Sequence, residues 1–497
     1  MADALSLLHG ILLVIVIGYL KCLVLWRCFL SPLAKIPGPK LAALTYWYEC
    51  YYDIARPAQY AFKIKALHHK YGPVVRIGIN DASISDLDFV DIVYAPGPGH
   101  KRDKNPKHNR ALGVNSSVGG SITHELHRNW REALNPFFLP QRIHRLDSDL
   151  TSKLAQVEAL LANARESGQV LNLSDVYFAS CNDMKFTKHN IVHKYCFGSD
   201  PNLIDSLHLA SARRNNVVSV LRSVKMMFQF GWIRNILQVL PRGTGAHDMR
   251  MFRRRVRADI EDVLACKPSL EKAPSIFTHL RDSAELPPAE KSAQRLEDEA
   301  VLMTMAGTYS PMLSLMVAHY HLLASPDTMA KLRTELAAHR SATTVAQLER
   351  IPYLSAVTQE AQRLTFGLTG RNLRVCPDEP IVYEYNKALG QTYTFPQGTY
   401  LSVSTLVVHT DESIFRTRKE AQDAASLLIS RRRRSMLSFM RGPRVCIGRH
   451  LANADMAALL AMMARWDLEL LETDEEDVRF KHDYHVMCPK LGSKGVR

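Results

Sequence analysis

The stretch Phe439-Met440-Arg441-Gly442-Pro443-Arg444-Val445-Cys446-Ile447-Gly448 places one cysteine on a tight turn, with a glycine on either side and an arginine two residues upstream. An apolar pattern at helical spacing follows at once, through Leu451, Ala452, Met456, Leu459 and Leu460. A thiol loses its proton only beside positive charge or converging backbone N–H groups. Arg444 supplies the first, and the start of a helix near Gly448 supplies the second. Gly442 and Gly448 permit backbone geometry, and a close approach to that backbone, that a Cβ would obstruct. A cysteine in such a setting reads as a ligand rather than as core filler.

This segment resembles, position by position, the heme-binding loop F-x-x-G-x-R-x-C-x-G of the cytochrome P-450 monooxygenases. The resemblance implies that Cys446 is the metal ligand, its thiolate bound axially to the iron of heme b (iron protoporphyrin IX), where it pushes electron density toward O–O cleavage. It makes Phe439, Arg444 and Gly448 part of the cofactor-binding set. It also implies a mainly α fold with a minor β-sheet, one large heme domain behind an N-terminal transmembrane helix. The phrases KYGPVVRI (70–77), ALNPFF (133–138) and CIGRHLA (446–452) are similar to fungal microsomal members of the trichodiene oxygenase type.

Composition fits that picture. The chain has 497 residues, 46% of them hydrophobic, enough for a large core. Its nine cysteines, at 22, 28, 50, 181, 196, 266, 376, 446 and 488, form no C-x-x-C pair, which suits reduced thiols in a cytosol-facing protein. The net charge of +14 admits nucleic acid, an anionic membrane or an acidic protein as partner. No nucleic-acid-binding signature accompanies it, so nucleic acid is set aside. An acidic redox partner suits the resemblance, which implies an NADPH-cytochrome reductase.

Residues 5–26, LSLLHGILLVIVIGYLKCLVLW, are long enough to span a bilayer, which takes about 20 residues. Lys21 lies near the end of the run, Arg27, Lys35 and Lys40 follow it, and no Lys or Arg precedes it. By the positive-inside rule the body stays cytoplasmic, as expected for a protein of the endoplasmic reticulum membrane. A cleaved signal peptide would need a basic start and a small-residue cleavage site, neither present. Ile36-Pro37-Gly38-Pro39 then blocks helix continuation. The division expected is an anchor at 1–30, a proline-rich hinge at 31–45 and a heme-thiolate domain at 46–497. Strand character appears at Val74–Ile79, Ile381–Tyr383 and Tyr400–Ser404, with mostly helical spacing from about 122 to 370.

Three further patterns carry chemistry. Glu360 and Arg363 sit three apart on one helix face and resemble the family's E-x-x-R, a structural pair. Ala306-Gly307-Thr308-Tyr309-Ser310-Pro311 lies in an apolar helix predicted from about Glu297 to Leu323, and it resembles the oxygen-activating A-G-x-[DE]-T-T. Gly307, Thr308 and Ser310 are therefore the catalytic candidates. Tyr309 replaces the usual acid, and Pro311 cannot donate to the carbonyl of Gly307, so a kink and a freed carbonyl are predicted there. His127 and Arg131, four apart, resemble the propionate-binding residues together with Arg444 and Arg374, since guanidinium suits carboxylates. Trp130 offers a competing alignment.

The pattern departs from the family between His409 and Cys446. Instead of an F-x-x-P-x-R-like element that locks onto E-x-x-R, the chain reads FRTRKEAQDAASLLISRRRRSMLSF, without proline and with four consecutive arginines at 431–434. A shifted reading frame in the gene would produce this. The function implied is monooxygenation by O2 of a hydrophobic small molecule of secondary metabolism, a terpenoid or mycotoxin precursor. The departures raise the alternative of a heme protein with impaired or different activity. Loops near 95–125, 205–245 and 366–376 are expected to line the substrate pocket.

Overall fold

The computed structural model describes residues 2–144, 147–184, 202–233, 245–265, 276–284, 286–386, 390–415 and 434–497. Two compact units emerge, Met1–Asn105 with Arg371–Asp411, and Pro106–Gly370 with Glu412–Arg497.

In the first unit, helix α1 (Ala2–Leu25) runs on into a single π turn, Trp26–Leu30. Leu5–Leu30 has a mean hydropathy of 2.3, and its most apolar stretch touches no other part of the protein. A helix apolar on every side, without protein neighbours, matches a hydrocarbon environment, so this helix is a candidate membrane anchor. The proline segment behind it is not a free hinge. The Arg76 N–H donates to the Pro37 carbonyl at 2.7 Å, and the backbone of Gly38 lies so close to the Arg76 carbonyl that no Cβ would fit. Helix α2 (Tyr60–Tyr71) ends at Gly72, whose φ of +94° only glycine adopts freely.

Strand character at Val74–Ile79 resolves into β1 (Val74–Arg76), because Gly78 turns the chain back toward β2 (Asp81–Ile84). With β3 (Asp103–Lys104), β4 (Arg374–Val375) and β7 (Tyr400–Val403) these make a five-stranded sheet, order β1-β2-β7-β4-β3, in which only the β2–β7 pair is parallel. Between them in sequence, β5 (Ile381–Asn386) and β6 (Gln391–Phe395) form a separate antiparallel ladder. Beneath the sheet the buried guanidinium of Arg371 pairs with Glu49 and Asp81 and lies over the Tyr60 ring.

The second unit is helical. Its elements that matter here are α3 (His124–Leu134), α4 (Leu173–Met184), α5 (Leu207–Gln229), α6 (Gly245–Ala265), α7 (Ala293–Leu323), α8 (Pro352–Leu364) and α9 (Arg449–Met463). A short hairpin, β8 (His482–Asp483) with β9 (Met487–Cys488), closes it. The long helix α7 starts earlier than the sequence suggests, because the Ser292 side chain accepts the Arg295 N–H and caps it at Ala293. It passes unbroken through Pro311 and packs against α4, α6, α8 and α9. Packing on every side accounts for its apolar composition, and it is a core helix although long enough to cross a membrane. Near residue 230 the apolar side chains divide: Phe228 is buried while Met226 and Trp232 face solvent.

Burial has a price at His319 on α7. Neither ring nitrogen has a hydrogen-bond partner, and the ring faces that of Tyr177, whose hydroxyl is also unsatisfied. Burial, with a smaller push from the Arg333 charge, lowers the imidazole to about 4. The unfolded chain, titrating near the ordinary value of about 6.5, therefore binds this proton more readily, so the stabilisation is present above about pH 6.5 and is lost as pH falls toward 4. Lowering the pH from 7 to 5 is expected to cost about 2 kcal/mol through this group alone. His319→Leu should flatten that loss, read as the urea unfolding midpoint at the two pH values.

Candidate active site

The Cys446 turn is built by its backbone. Gly442 takes φ +72° and Met440 φ +60°, and the Cys446 N–H donates back to the Phe439 carbonyl at 2.8 Å. Gly448 has an ordinary φ of −85° and serves differently. Its N–H points at the Cys446 sulfur, and nothing stands where its Cβ would project. The Cys446 side chain is exposed, at the floor of a hollow. Burial by the surrounding protein pushes its thiol up, while the Gly448 N–H, Arg131 and Arg449 pull it down. Helix α9 begins at the next residue, directing its N-terminal dipole toward the sulfur.

Two arginines tie this turn to α3 in opposite directions. Arg444 reaches out of the turn and donates to the carbonyls of Ser121 (2.9 Å), Ile122 (2.8 Å) and Thr123 (2.9 Å), the residues leading into α3. Arg131, two turns into α3, donates back to the Val445 carbonyl. The lead-in is itself held by α7. Asp298 accepts the Ser116 N–H and Glu299 accepts the Val118 N–H, both at 2.9 Å, and Arg295 pairs with Glu299 at 2.6 Å. His127 is buried one turn before Arg131 on the same face. Trp130 turns away into the core, donating to Glu290 at 2.7 Å under the Arg295 guanidinium, which removes the competing alignment.

On α7, Ala306 and Ser310 are exposed, one turn apart on a helix otherwise packed along this stretch, and Gly307 beside them is half-buried. Ile447 of the cysteine turn packs into the same cluster as Leu302, Met303 and Met305. Thr308 does not join this face. Two residues from Ser310, it lies about 160° around the axis, buried, and it lines a separate cavity. Tyr309 is buried as well, its phenol pushed upward by burial and by Cys488 nearby.

The remaining expected residues are placed as follows. Phe439 is half-buried in the turn. Arg374 belongs to the first unit, where its guanidinium stacks on Tyr94 and donates to the Leu373 carbonyl. Arg363 grips Glu360 through two hydrogen bonds of 2.8 and 2.6 Å, with Phe415 stacked on its guanidinium. The proline-free substitute for the family's locking element falls, for residues 416–433, outside the described residues, as do Cys196 and Cys266.

The sequence profile of the cytochrome P-450 family matches residues 50–494. The chain belongs to that family. It is 33% identical to the cytochrome P-450 monooxygenase tpcC of Cochliobolus heterostrophus, over 98% of this chain and 96% of that one. It is 30% identical to the tryptophan 6-hydroxylase fscE of Fusarium equiseti, over 99% and 96%. A solved P-450, CYP102L1, superposes with a TM-score of 0.65 across 88% of this chain and 94% of its own at 16% identity, a likeness of fold. The protein is thus a heme b monooxygenase, an oxidoreductase that uses O2, a redox partner and a hydrophobic substrate.

The residues fit the cofactor. Among the described residues no group of three His, Cys, Asp or Glu is placed to hold a bare metal ion. A lone, accessible sulfur suits an iron whose other ligands come from a macrocycle. The open flank at Gly448 and the open Ala306–Ser310 face leave room for a flat ring system.

Sequence reading anticipated backbone N–H groups near Gly448 but missed the carbonyls of residues 121–123 and 445, because backbone groups leave no residue signature. Arg449 stood in view within CIGRHLA but carried no spacing rule. Arg131→Gln is expected to remove both a bond to Val445 and a charge that favours the thiolate. The thiolate form of the reduced carbon-monoxide complex should then convert to the thiol form at a higher pH than in the native protein. An unchanged pH midpoint would contradict this.

Proposed function

We propose that this P-450 inserts one oxygen atom of O2 into a hydrophobic secondary metabolite, by hydroxylation or epoxidation, at the endoplasmic reticulum membrane. Electrons come from NADPH through a membrane-bound cytochrome reductase that meets the basic surface of a chain carrying a net charge of +14. The observation that carries the reading is the accessible Cys446 sulfur on a turn held by reciprocal arginine ties, with its neighbour Ile447 in the same apolar cluster as Leu302, Met303 and Met305 of α7. A terpenoid is the substrate class the sequence resemblance favours. The name of fscE adds an aromatic amino acid as the comparison compound.

Cys446 would hold the heme iron through its sulfur, with Phe439 and Gly448 shaping the approach to it. His127, Arg131 and Arg444 surround the propionate side with positive or polar groups. Heme bound here supplies the oxygen-activating redox chemistry. The chain supplies orientation and protons. The Ser310 hydroxyl both donates and accepts, and it stands on the open face of α7. Pro311 has no N–H, so the Gly307 carbonyl three residues before Ser310 is free to hold a water beside that hydroxyl. Thr308 supports the helix from its buried side. Tyr309 takes the place of an acid but keeps its proton at neutral pH, because its phenol is held above the ordinary range. Proton delivery therefore rests on Ser310 and water alone, and a share of the reducing equivalents is wasted.

Cys446→Ala should abolish the thiolate band of the reduced carbon-monoxide complex and with it turnover by NADPH and reductase. Retention of both would sink the assignment. In the native protein more NADPH should be consumed than product formed. Ser310→Ala should lower product per NADPH by roughly tenfold or more, and Tyr309→Asp should raise it. Tight coupling in the native protein, unaltered by Tyr309→Asp, is the contrary result.

A further inference from the structure

Behind α7, on the side away from Ser310, lies a cavity of about 250 Å³ bounded by α4, α5, α6 and α7. Its wall is chiefly apolar, with Phe178 of α4, Val217 of α5, Phe252 of α6 and Met305 of α7. No carboxylate is among the described residues that line it. Its cations offer no free charge to an occupant, since Arg213 already interacts with groups of its own and Arg255 is exposed to water.

Two further polar side chains of the wall are engaged as well. The Asn182 amide donates to Asp183 at 3.1 Å, and the Thr304 hydroxyl donates to the Ala300 carbonyl at 2.8 Å. Thr308 behaves differently. It lies one turn beyond Thr304 on the same helix and could turn its hydroxyl back to the ladder in the same way. It does not. Thr308 is 2% exposed and lines the cavity, and its hydroxyl has no hydrogen-bond partner. A buried hydroxyl left in that state is costly, and an acceptor brought into the cavity removes the cost. The acceptor has to be neutral, because a charge placed here would lose its water without gaining a free counter-charge. A space with apolar walls and one available donor is complementary to a compact apolar molecule carrying a single oxygen.

We propose that this cavity is a second binding site, separate from the heme hollow, for a compact neutral ketone whose carbonyl oxygen accepts the Thr308 hydroxyl and whose apolar ring body rests against Phe178 and Met305. Helical geometry sets the separation. Thr308 and Ser310 point about 160° apart on α7, so an occupant touching Thr308 has the helix between itself and the open face that carries Ser310. Such a molecule is bound in addition to the compound being oxidised and does not compete with it.

The test is calorimetric titration of the intact holoenzyme, its heme iron saturated with 4-phenylimidazole. The probes are 2-acetylnaphthalene and 2-isopropenylnaphthalene, which has a methylene group in place of the carbonyl oxygen. The ketone is expected to bind with the iron blocked. Thr308→Val, which exchanges the hydroxyl for a methyl group of similar size, should weaken the ketone about tenfold and leave the hydrocarbon unchanged. Thr308→Ser keeps the hydroxyl and should keep most of the ketone affinity. Each variant is first checked for a native carbon-monoxide difference spectrum. Failure of the ketone to bind once the iron is blocked would overturn the proposal, and that measurement needs only the native protein. Native ketone affinity in Thr308→Val, or an equal loss for ketone and hydrocarbon, would overturn it too.

Discussion

Everything at the heme side of this protein depends on the crossed arginine ties between the cysteine turn and α3. A turn of ten residues with two glycines has many conformations open to it, and fixing them costs on the order of 1–2 kcal/mol per residue. Arg444 answers with three charge-assisted bonds to successive carbonyls, and Arg131 with one in return. The two guanidiniums do more than hold the turn. Arg131 also carries the charge that, with the Gly448 N–H, offsets the burial of the Cys446 thiol. Position and protonation of the sulfur thus share a cause, so a change at Arg131 moves both.

The ties in turn need something rigid to pull against. That is α7, whose Asp298 and Glu299 hold residues 116 and 118 by their backbone N–H groups. Glu299 is fully buried, and burial raises its carboxyl above the usual range while Arg295 and the Val118 N–H oppose that rise. A chain of polar contacts therefore runs from the N-terminal half of α7, through the lead-in to α3, to the cysteine turn. The same helix presents Ala306 and Ser310 farther along. One helix thus holds the lead-in to the cysteine turn and presents the exposed Ala306 and Ser310, and it is largely buried beyond residue 310.

Much of this was legible in the sequence, and the pattern of what was not is instructive. The cysteine turn, the E-x-x-R pair and the anchor helix were readable because each rests on side-chain identity at fixed spacing. The site's second tier was not. The spacing that marks Arg444 as a cofactor residue gives no sign of the three carbonyls it also holds, which any residue supplies. Strand β2 escaped notice because Asp81-Ala82-Ser83-Ile84 lacks the β-branched alternation of a half-buried strand; it is buried on both sides, between β1 and β7. Thr308 was grouped with Ser310 because a motif is a string, whereas a helix separates neighbours two apart onto opposite faces.

That last separation bears on how the protein can be regulated. A core helix made of close-packed side chains transmits small displacements instead of absorbing them. In α7 the turn from Gly307 to Pro311 is the softest part, since proline removes one hydrogen bond of the ladder and glycine adds backbone freedom. Thr308 sits inside that turn with an unsatisfied hydroxyl on one side of the helix, and Ser310 sits inside it, exposed, on the other. Tyr309 is buried and its phenol is pushed up, so it is a poorer proton donor than the acid it replaces.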